Sequence, residues 1–314
     1  MSGIIKLILT TVITLFSLNT HSLESEMIVN VNVDSGVLEG TFLKAENSNT
    51  VALIISGSGP TDRNGNNPSM INNSLKMVAE ELKQAGISSL RYDKRGVGAS
   101  ANAGLVEENL RFEHYINDAK KWLTFLNSQN GFEHITVIGH SEGALIGMIV
   151  AQSSIVDSFV SIAGAGQSAD KIIQKQLTSQ PASVSEPSIA ILEKLVHGKI
   201  VDNVPPSLGV LFRPSVQPYL ISWFRYDPLK EFKKLKKPLL ILQGDTDIQV
   251  SVEQAKLLHG VNRQADLKII EGMNHVLKEA PLDKSRNIQT YNDPKKPVMP
   301  EVFSEISQFL KENA

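Results

Sequence analysis

Short apolar runs recur along the chain with amphipathic stretches between them. VALIISG (51–57) and HITVIG (134–139) are continuous enough to be strands buried on both faces. ISSLRYD (87–93), DSFVSIAG (157–164), PLLILQG (238–244) and LKIIEG (267–272) read as further strands. Helical spacing fills the intervals. Residues 70–85 carry Met70, Leu75, Met77, Val78 and Leu82 and stop at Gly86, and 112–128 turn Ile116, Trp122, Leu123 and Leu126 inward. Glu142 to Gln152 and Pro300 to Leu310 read as helices too. Ahead of all these, MIVNVNV and VLEGTFLK alternate on either side of Asp34-Ser35-Gly36, which predicts a hairpin. Alternating strands and helices predict an α/β fold, a mostly parallel central sheet flanked by helices. The alternation breaks over 166–229, where a Ser/Pro-rich stretch (179–188) and Pro205-Pro206 sit among polar helical segments. That break predicts a helical cap inserted into a core made of residues 23–165 and 230–314.

Composition narrows the reading. With 314 residues, 41% of them hydrophobic, the chain can bury a large core without staples. A net charge of −2 offers no field for nucleic acid or anionic lipid. The one basic run, KEFKKLKK (230–237), reads as a solvated helix or linker. The absence of cysteine excludes disulfides, thiol catalysis and thiolate metal sites. The 7 histidines show no HExxH or HxH spacing, so no metal or other cofactor is expected. Residues 1–22 have Lys6, an uncharged stretch from Leu7 to Leu18, and small Thr20 and Ser22 before a cleavage point. This pattern predicts a signal peptide and an exported protein, periplasmic or extracellular, with a retained N-terminal anchor as the alternative. The apolar stretch is short of the roughly 20 residues of a membrane span, and no span is expected in the mature chain.

One motif carries chemistry. Gly139-His140-Ser141-Glu142-Gly143 is a G-x-S-x-G between a buried strand and an apolar helix, the setting in which a sharp turn lifts a serine hydroxyl clear of the sheet. A serine needs a base to take its proton, and a carboxylate to orient that base. Asp245 and Asp247 follow the strand PLLILQG, and His275 follows LKIIEG. The other histidines fit less well: His21 lies in the signal segment, His114, His197 and His259 in helical stretches, and His134 at a strand start. His140 neighbours the serine but is expected to point away from it. An oxyanion needs backbone donors. The amide of Glu142 is one candidate; the other is that of Ser58, in the Gly-rich loop Ser56-Gly57-Ser58-Gly59-Pro60.

With SGSGPTDRNGN (56–66), RYDKRGVGAS (91–100), GHSEG (139–143), GDTDIQV (244–250) and GMNH (272–275), the chain resembles the α/β-hydrolases. More narrowly it resembles bacterial serine-aminopeptidase-like hydrolases and secreted esterases. The resemblance covers about 50–165 and 236–312, and it implies a cap insertion at this place. The family pattern G-x-x-D-x-x-V aligns Gly244, Asp247 and Val250, which makes Asp247 the acid and Asp245 a turn residue. The implied activity is a serine hydrolase cleaving small carboxylic esters through an acyl-enzyme. An aminopeptidase or amidase, or a thioesterase, would use the same three residues. A peptidase should offer an acid to the substrate's amino group, and Asp170, Glu186, Glu193 and Asp202 lie in the cap. A noncatalytic binding protein is disfavoured because Ser, His and Asp are all present. Oligomeric state is left open.

Overall fold

A computed structural model describes residues 26–313. The export segment read from residues 1–22 lies outside them. The eight strands are β1 (Met27–Val33), β2 (Gly36–Leu43), β3 (Thr50–Ile55), β4 (Ser88–Tyr92), β5 (His134–His140), β6 (Ser158–Ile162), β7 (Leu239–Gly244) and β8 (Asp266–Ile270). They form one sheet in the order β1-β2-β4-β3-β5-β6-β7-β8. The β1–β2 hairpin joins β4 antiparallel, and all later neighbours pair parallel.

The helices follow the same order. The core carries α1 (Ser74–Gln84), α2 (Phe112–Asn127) and α3 (Glu142–Val150). Between β6 and β7 come α4 (Ala169–Thr178), α5 (Ala182–Val196), α6 (Gly209–Phe212), α7 (Gln217–Phe224) and α8 (Pro228–Lys233). The chain closes with α9 (Val252–Val261), α10 (Lys284–Gln289) and α11 (Pro300–Glu312). None of the described helices is long and apolar enough to cross a membrane.

Period-2 alternation in fully buried strands splits the core into two layers. Val51, Leu53 and Ile55 of β3 join a cluster with Phe112, Ile116, Trp122 and Leu126 of α2. Ala52 and Ile54 face the other way, onto Leu75, Val78 and Leu82 of α1 and Ile306 and Phe309 of α11. Trp122 is fully buried and packs against Tyr92 with ring centroids 5.6 Å apart and the planes tilted by 31°.

Two local expectations shift. The helix expected from residue 70 begins at Ser74. The side chain of Asn66 accepts the amides of Asn72 and Asn73 (both 2.8 Å), Asn73 adopts φ 56°, and Met70 bridges to Asn67. Side-chain bonds to the backbone thus outcompete the first helical turn. The Ser/Pro-rich stretch lies among helices: from Ala182 onward it forms the start of α5, with Pro187 inside the helix. In the basic run, Phe232 and Leu235 are buried and the lysines flank them, so the run anchors as well as solvates.

The chain leaves β3 towards β4 on one side, and β5 then lies on the other side of β3. This reversal opens a crevice beyond the carboxyl ends of β3 and β5, the place where open α/β sheets bind ligands. The Ser56–Pro60 loop and Ser141 both emerge there.

Trp122→Ala removes the largest fully buried side chain of the α2 layer. It should cost about 3–5 kcal/mol of unfolding free energy. Urea denaturation monitored by far-UV circular dichroism measures this, and a cost under about 1 kcal/mol would contradict the packing described.

Candidate active site

Ser141 sits in the turn between β5 and α3 at φ 56°, ψ −120°. A non-glycine residue there stores on the order of 1–3 kcal/mol of strain and persists only where its surroundings impose it. Here its amide donates to the Ile162 carbonyl (2.9 Å) and its carbonyl accepts from Ala144 (2.9 Å). The flanking glycines have a steric reason. A Cβ on Gly139 would lie 2.3 Å from the Gly143 carbonyl oxygen, and one on Gly143 would lie 2.3 Å from that of Ile55.

His275 lies on the loop after β8. Its Nδ1–H donates to Asp247 Oδ2 at 2.8 Å, which leaves Nε2 to accept from the Ser141 hydroxyl at 3.1 Å. Asp247 also accepts from the amides of Gln249 (2.7 Å) and Val250 (2.9 Å) and from Gln243 Nε2 (3.2 Å). Burial alone would push its carboxyl up. The facing His275 ring and the two amides outweigh burial and hold it below the ordinary carboxylate value. Asp245 is exposed and accepts from the Gly272 amide at 2.7 Å, tying the two loops at their base. The structure therefore brings Ser141, His275 and Asp247 into one chain of hydrogen bonds and leaves Asp245 out of it.

Two supports escaped the sequence reading. His140, expected to point away from the serine, packs its ring 4.9 Å from that of His275, and no hydrogen bond joins its side chain to that of Ser141 among the described residues. Its Nε2–H donates to the His275 carbonyl at 2.8 Å and braces that loop from below. Burial, with the neighbouring His275 adding to it, pushes its pKa down to about 4. The polar stretch after His275 also has a task. Asn274 accepts the amides of Val276 and Lys278 (both 3.1 Å) and donates to Thr290 Oγ1 (2.6 Å) and Asn287 Oδ1 (3.3 Å). Asn287 in turn donates to the Thr246 carbonyl at 2.8 Å, so it joins the loop carrying Asp247 to the loop carrying His275. The only signal for either was polarity close to the motif.

Ser58, Ser141 and Glu142 line one cavity of about 540 Å³ between the core and the helices α4 and α7. The backbone amides of Ser58 and Glu142 donate to no protein group among the described residues. The cavity wall is apolar, with Leu145, Ile173, Leu211, Leu220 and Trp223, and carries a few polar groups including Gln176 and Arg213. Arg213 is already paired with Glu107. Of the cap aromatics, Tyr219 and Trp223 face the cavity, whereas Phe212 is wholly core. None of Asp170, Glu186, Glu193 and Asp202 lines it. The one carboxylate on the wall among the described residues, Glu142, is engaged by Lys94 and Tyr219. Arg63 braces loops, pairing with Asp93 and Glu39 at 2.7 Å each. No group of three or more His, Asp or Glu suited to a metal occurs among the described residues.

Sheet order, crossovers and the serine turn define the α/β-hydrolase fold. A family model described as serine aminopeptidase, S33, matches residues 72–203. Esterase EstD of Thermotoga maritima is 27% identical over 245 residues, which is 76% of this chain and 57% of that protein. The chain thus spans little more than half the length of this relative. Among solved structures, Est1E from Butyrivibrio proteoclasticus, bound to ferulic acid, superposes with a TM-score of 0.62 at 17% identity over 91% of this chain and 98% of its own. The Pyrococcus furiosus esterase Pf2001 gives a TM-score of 0.57 at 20% identity, covering 92% of this chain and 91% of its own. These two likenesses concern the fold.

His140 makes acid stability testable. Its folded value of about 4 lies below the ordinary 6.5, so between those values the unfolded chain binds a proton that the folded chain refuses. Stability present above about pH 6.5 is therefore lost on acidification towards pH 4, by about 3 kcal/mol. Asp247 acts with the same sign but only below 3.8, its ordinary value, and stays out of this window. His140→Gln keeps a donor for the His275 carbonyl but cannot titrate. Urea unfolding from pH 7 to 4.5 should fall less steeply for the variant than for the wild type; equal slopes would contradict a buried, neutral His140.

Proposed function

We propose that the protein is a serine hydrolase of carboxylic esters, working through an acyl-enzyme. The observation that carries this is the Asp247–His275–Ser141 chain opening onto an apolar cavity lined also by Ser58 and Glu142, whose amides donate to no protein group among the described residues. Ser141 Oγ attacks the ester carbonyl carbon while His275 Nε2 takes its proton. Asp247 keeps the imidazole in the accepting tautomer and offsets its charge once protonated. The negative oxygen of the tetrahedral adduct sits between the amides of Ser58 and Glu142, where fixed donors stabilise it more than water would. The adduct collapses as His275 returns the proton to the leaving alcohol. Water, deprotonated by the same nitrogen, then attacks the acyl-serine and releases the acid.

The apolar wall favours an aliphatic or aromatic acyl group over a charged one. The serine-aminopeptidase match favours a second reading, cleavage of an aminoacyl amide. That reading needs a carboxylate free to meet an ammonium, and among the described residues the only one on the wall is Glu142, already engaged by Lys94 and Tyr219. Thioesters would be attacked by the same steps. Export is proposed on the pattern of residues 1–22 alone.

Comparing kcat/KM across p-nitrophenyl esters, acyl thioesters and aminoacyl amides tests the substrate class. Esters of apolar acids should lead, and Ser141→Ala should lower their turnover by roughly 10³-fold or more with the fold retained. Preference for aminoacyl amides would reverse the order of the two readings.

The two aspartates separate by kinetics. Asp247→Asn should lower kcat by at least roughly 10²-fold with little change in KM. Asp245→Asn, which weakens only the bond to Gly272, should cost about 1 kcal/mol of stability and leave kcat near wild type. The larger kcat loss falling on Asp245→Asn would exchange their roles.

A further inference from the structure

The amide of Ser58 belongs to the same peptide unit as the carbonyl of Gly57. A trans peptide is planar, and its N–H and C=O point in opposite directions. Whatever holds the Gly57 oxygen therefore aims the Ser58 N–H. That oxygen accepts a hydrogen bond from Lys94 Nζ.

Lys94 stands just after β4, in the RYDKRG segment, and its side chain is only 1% exposed. Its ammonium lies 3.4 Å from Glu142 Oε2 and 5.2 Å from the centre of the Tyr115 ring. The other oxygen of Glu142 accepts from the Tyr219 hydroxyl, on cap helix α7. One buried cation thus touches the residue preceding the first candidate donor and the side chain of the residue that supplies the second. Stability is a weak reason for such a pair. Desolvating two charges costs several kcal/mol each, and well-packed apolar replacements of buried pairs are often neutral or stabilising. Burial weakens the hold of Lys94 on its proton, and Glu142 restores part of it. Lys94 does not line the cavity, so direct contact with substrate does not explain it.

We propose that Lys94 is a positioning residue for the oxyanion hole: it holds the Gly57–Ser58 peptide with its N–H turned to the adduct, and its pairing with Glu142 locks the two donor residues together. The inference rests on the reading of Ser141 as nucleophile with the Ser58 and Glu142 amides as donors. The role belongs to the transition state, because a ground-state carbonyl asks less of these donors than a full oxyanion does.

The test uses the full chain, a short aliphatic ester and a trifluoromethyl ketone, which adds the serine to give a stable tetrahedral adduct. Lys94→Met keeps the length of the side chain and loses the donor. Loss of a whole oxyanion donor costs about 10²–10³-fold in kcat, so a misdirected one should cost about 10–100-fold. KM should stay within about threefold, and ketone affinity should fall in proportion to kcat/KM. A second variant, Lys94→Met/Glu142→Gln, leaves no unpaired buried charge. It should regain the thermal stability lost by Lys94→Met but not the kcat. It also carries the test if the single variant does not fold.

Three results would overturn the proposal. One is wild-type kcat and ketone affinity in Lys94→Met. Another is an effect on KM alone. The third is recovery of kcat in the double variant to the level of Glu142→Gln, which would make Lys94 a mere counter-charge. Failure of the underlying reading looks different: Ser141→Ala would then keep hydrolysis or ketone binding, whatever the Lys94 variants do.

Discussion

The contact on which the site depends is a backbone approach. Where β5 turns into α3, Gly143 comes so close to the end of β3 that even a methyl group would meet the Ile55 and Ser56 carbonyls, at 2.3 and 2.6 Å. That approach sets the distance between the turn holding Ser141 and the loop holding Ser58, and so the width of any oxyanion site between them. Ser141 holds positive φ in the same turn. The strain stays local because the turn is pinned from the neighbouring strand, by the Ile162 carbonyl on the Ser141 amide. Sheet register and serine geometry are thus one constraint: a shift of β6 against β5 would release the turn.

The opposite wall is built differently. His275 is placed by hydrogen bonds added to packing, with Met273 and Leu277 of its loop buried in the core. His140 holds its carbonyl, Asn274 folds its loop, and Asn287 ties that loop to the one bearing Asp247. Each such bond contributes only about 0.5–1.5 kcal/mol net, but an orphaned buried partner costs more. The arrangement is therefore fixed as a network. This explains why a long polar segment follows the histidine where an apolar one would pack more simply.

How legible each part was follows from the range of the forces involved. Strands buried on both faces announce themselves as apolar runs, and β3, β5 and β7 lie where those runs predict. The serine turn was legible because its glycines answer a steric demand within five residues. The start of α1 was not, because Asn66 captures amides six and seven residues away through its side chain. Asp245 and Asp247 look alike in sequence and meet the same loop, Asp245 at the Gly272 amide and Asp247 at the His275 ring, so spacing within a family pattern was needed to separate them. The contact of His140 with His275 joins residues 135 positions apart, and no local pattern encodes it. The partners of Lys94 lie 37 and 48 positions away, and no local pattern encodes them.

The segment that includes Lys94 shows how the core and the site share one foundation. Asp93, Lys94 and Arg95 are consecutive and all buried, at 3, 1 and 6% exposure. Asp93 pairs with Arg63 and accepts the Ala99 amide; Arg95 forks onto Asp118 of α2 at 2.7 and 2.5 Å; Lys94 reaches Gly57 and Glu142. Three adjacent charges thus find partners on the loop after β3, on α2 and at the start of α3. Breaking any one pair leaves a buried charge uncompensated, which typically costs 3–5 kcal/mol. Neighbouring pairs would repack as well, because the three residues share one turn. The turn cannot shift towards one partner without leaving another. That mutual exclusion holds the Ser58 loop, the serine helix and α2 at fixed spacing, with the apolar layers free to supply bulk stability and no geometry finer than their packing.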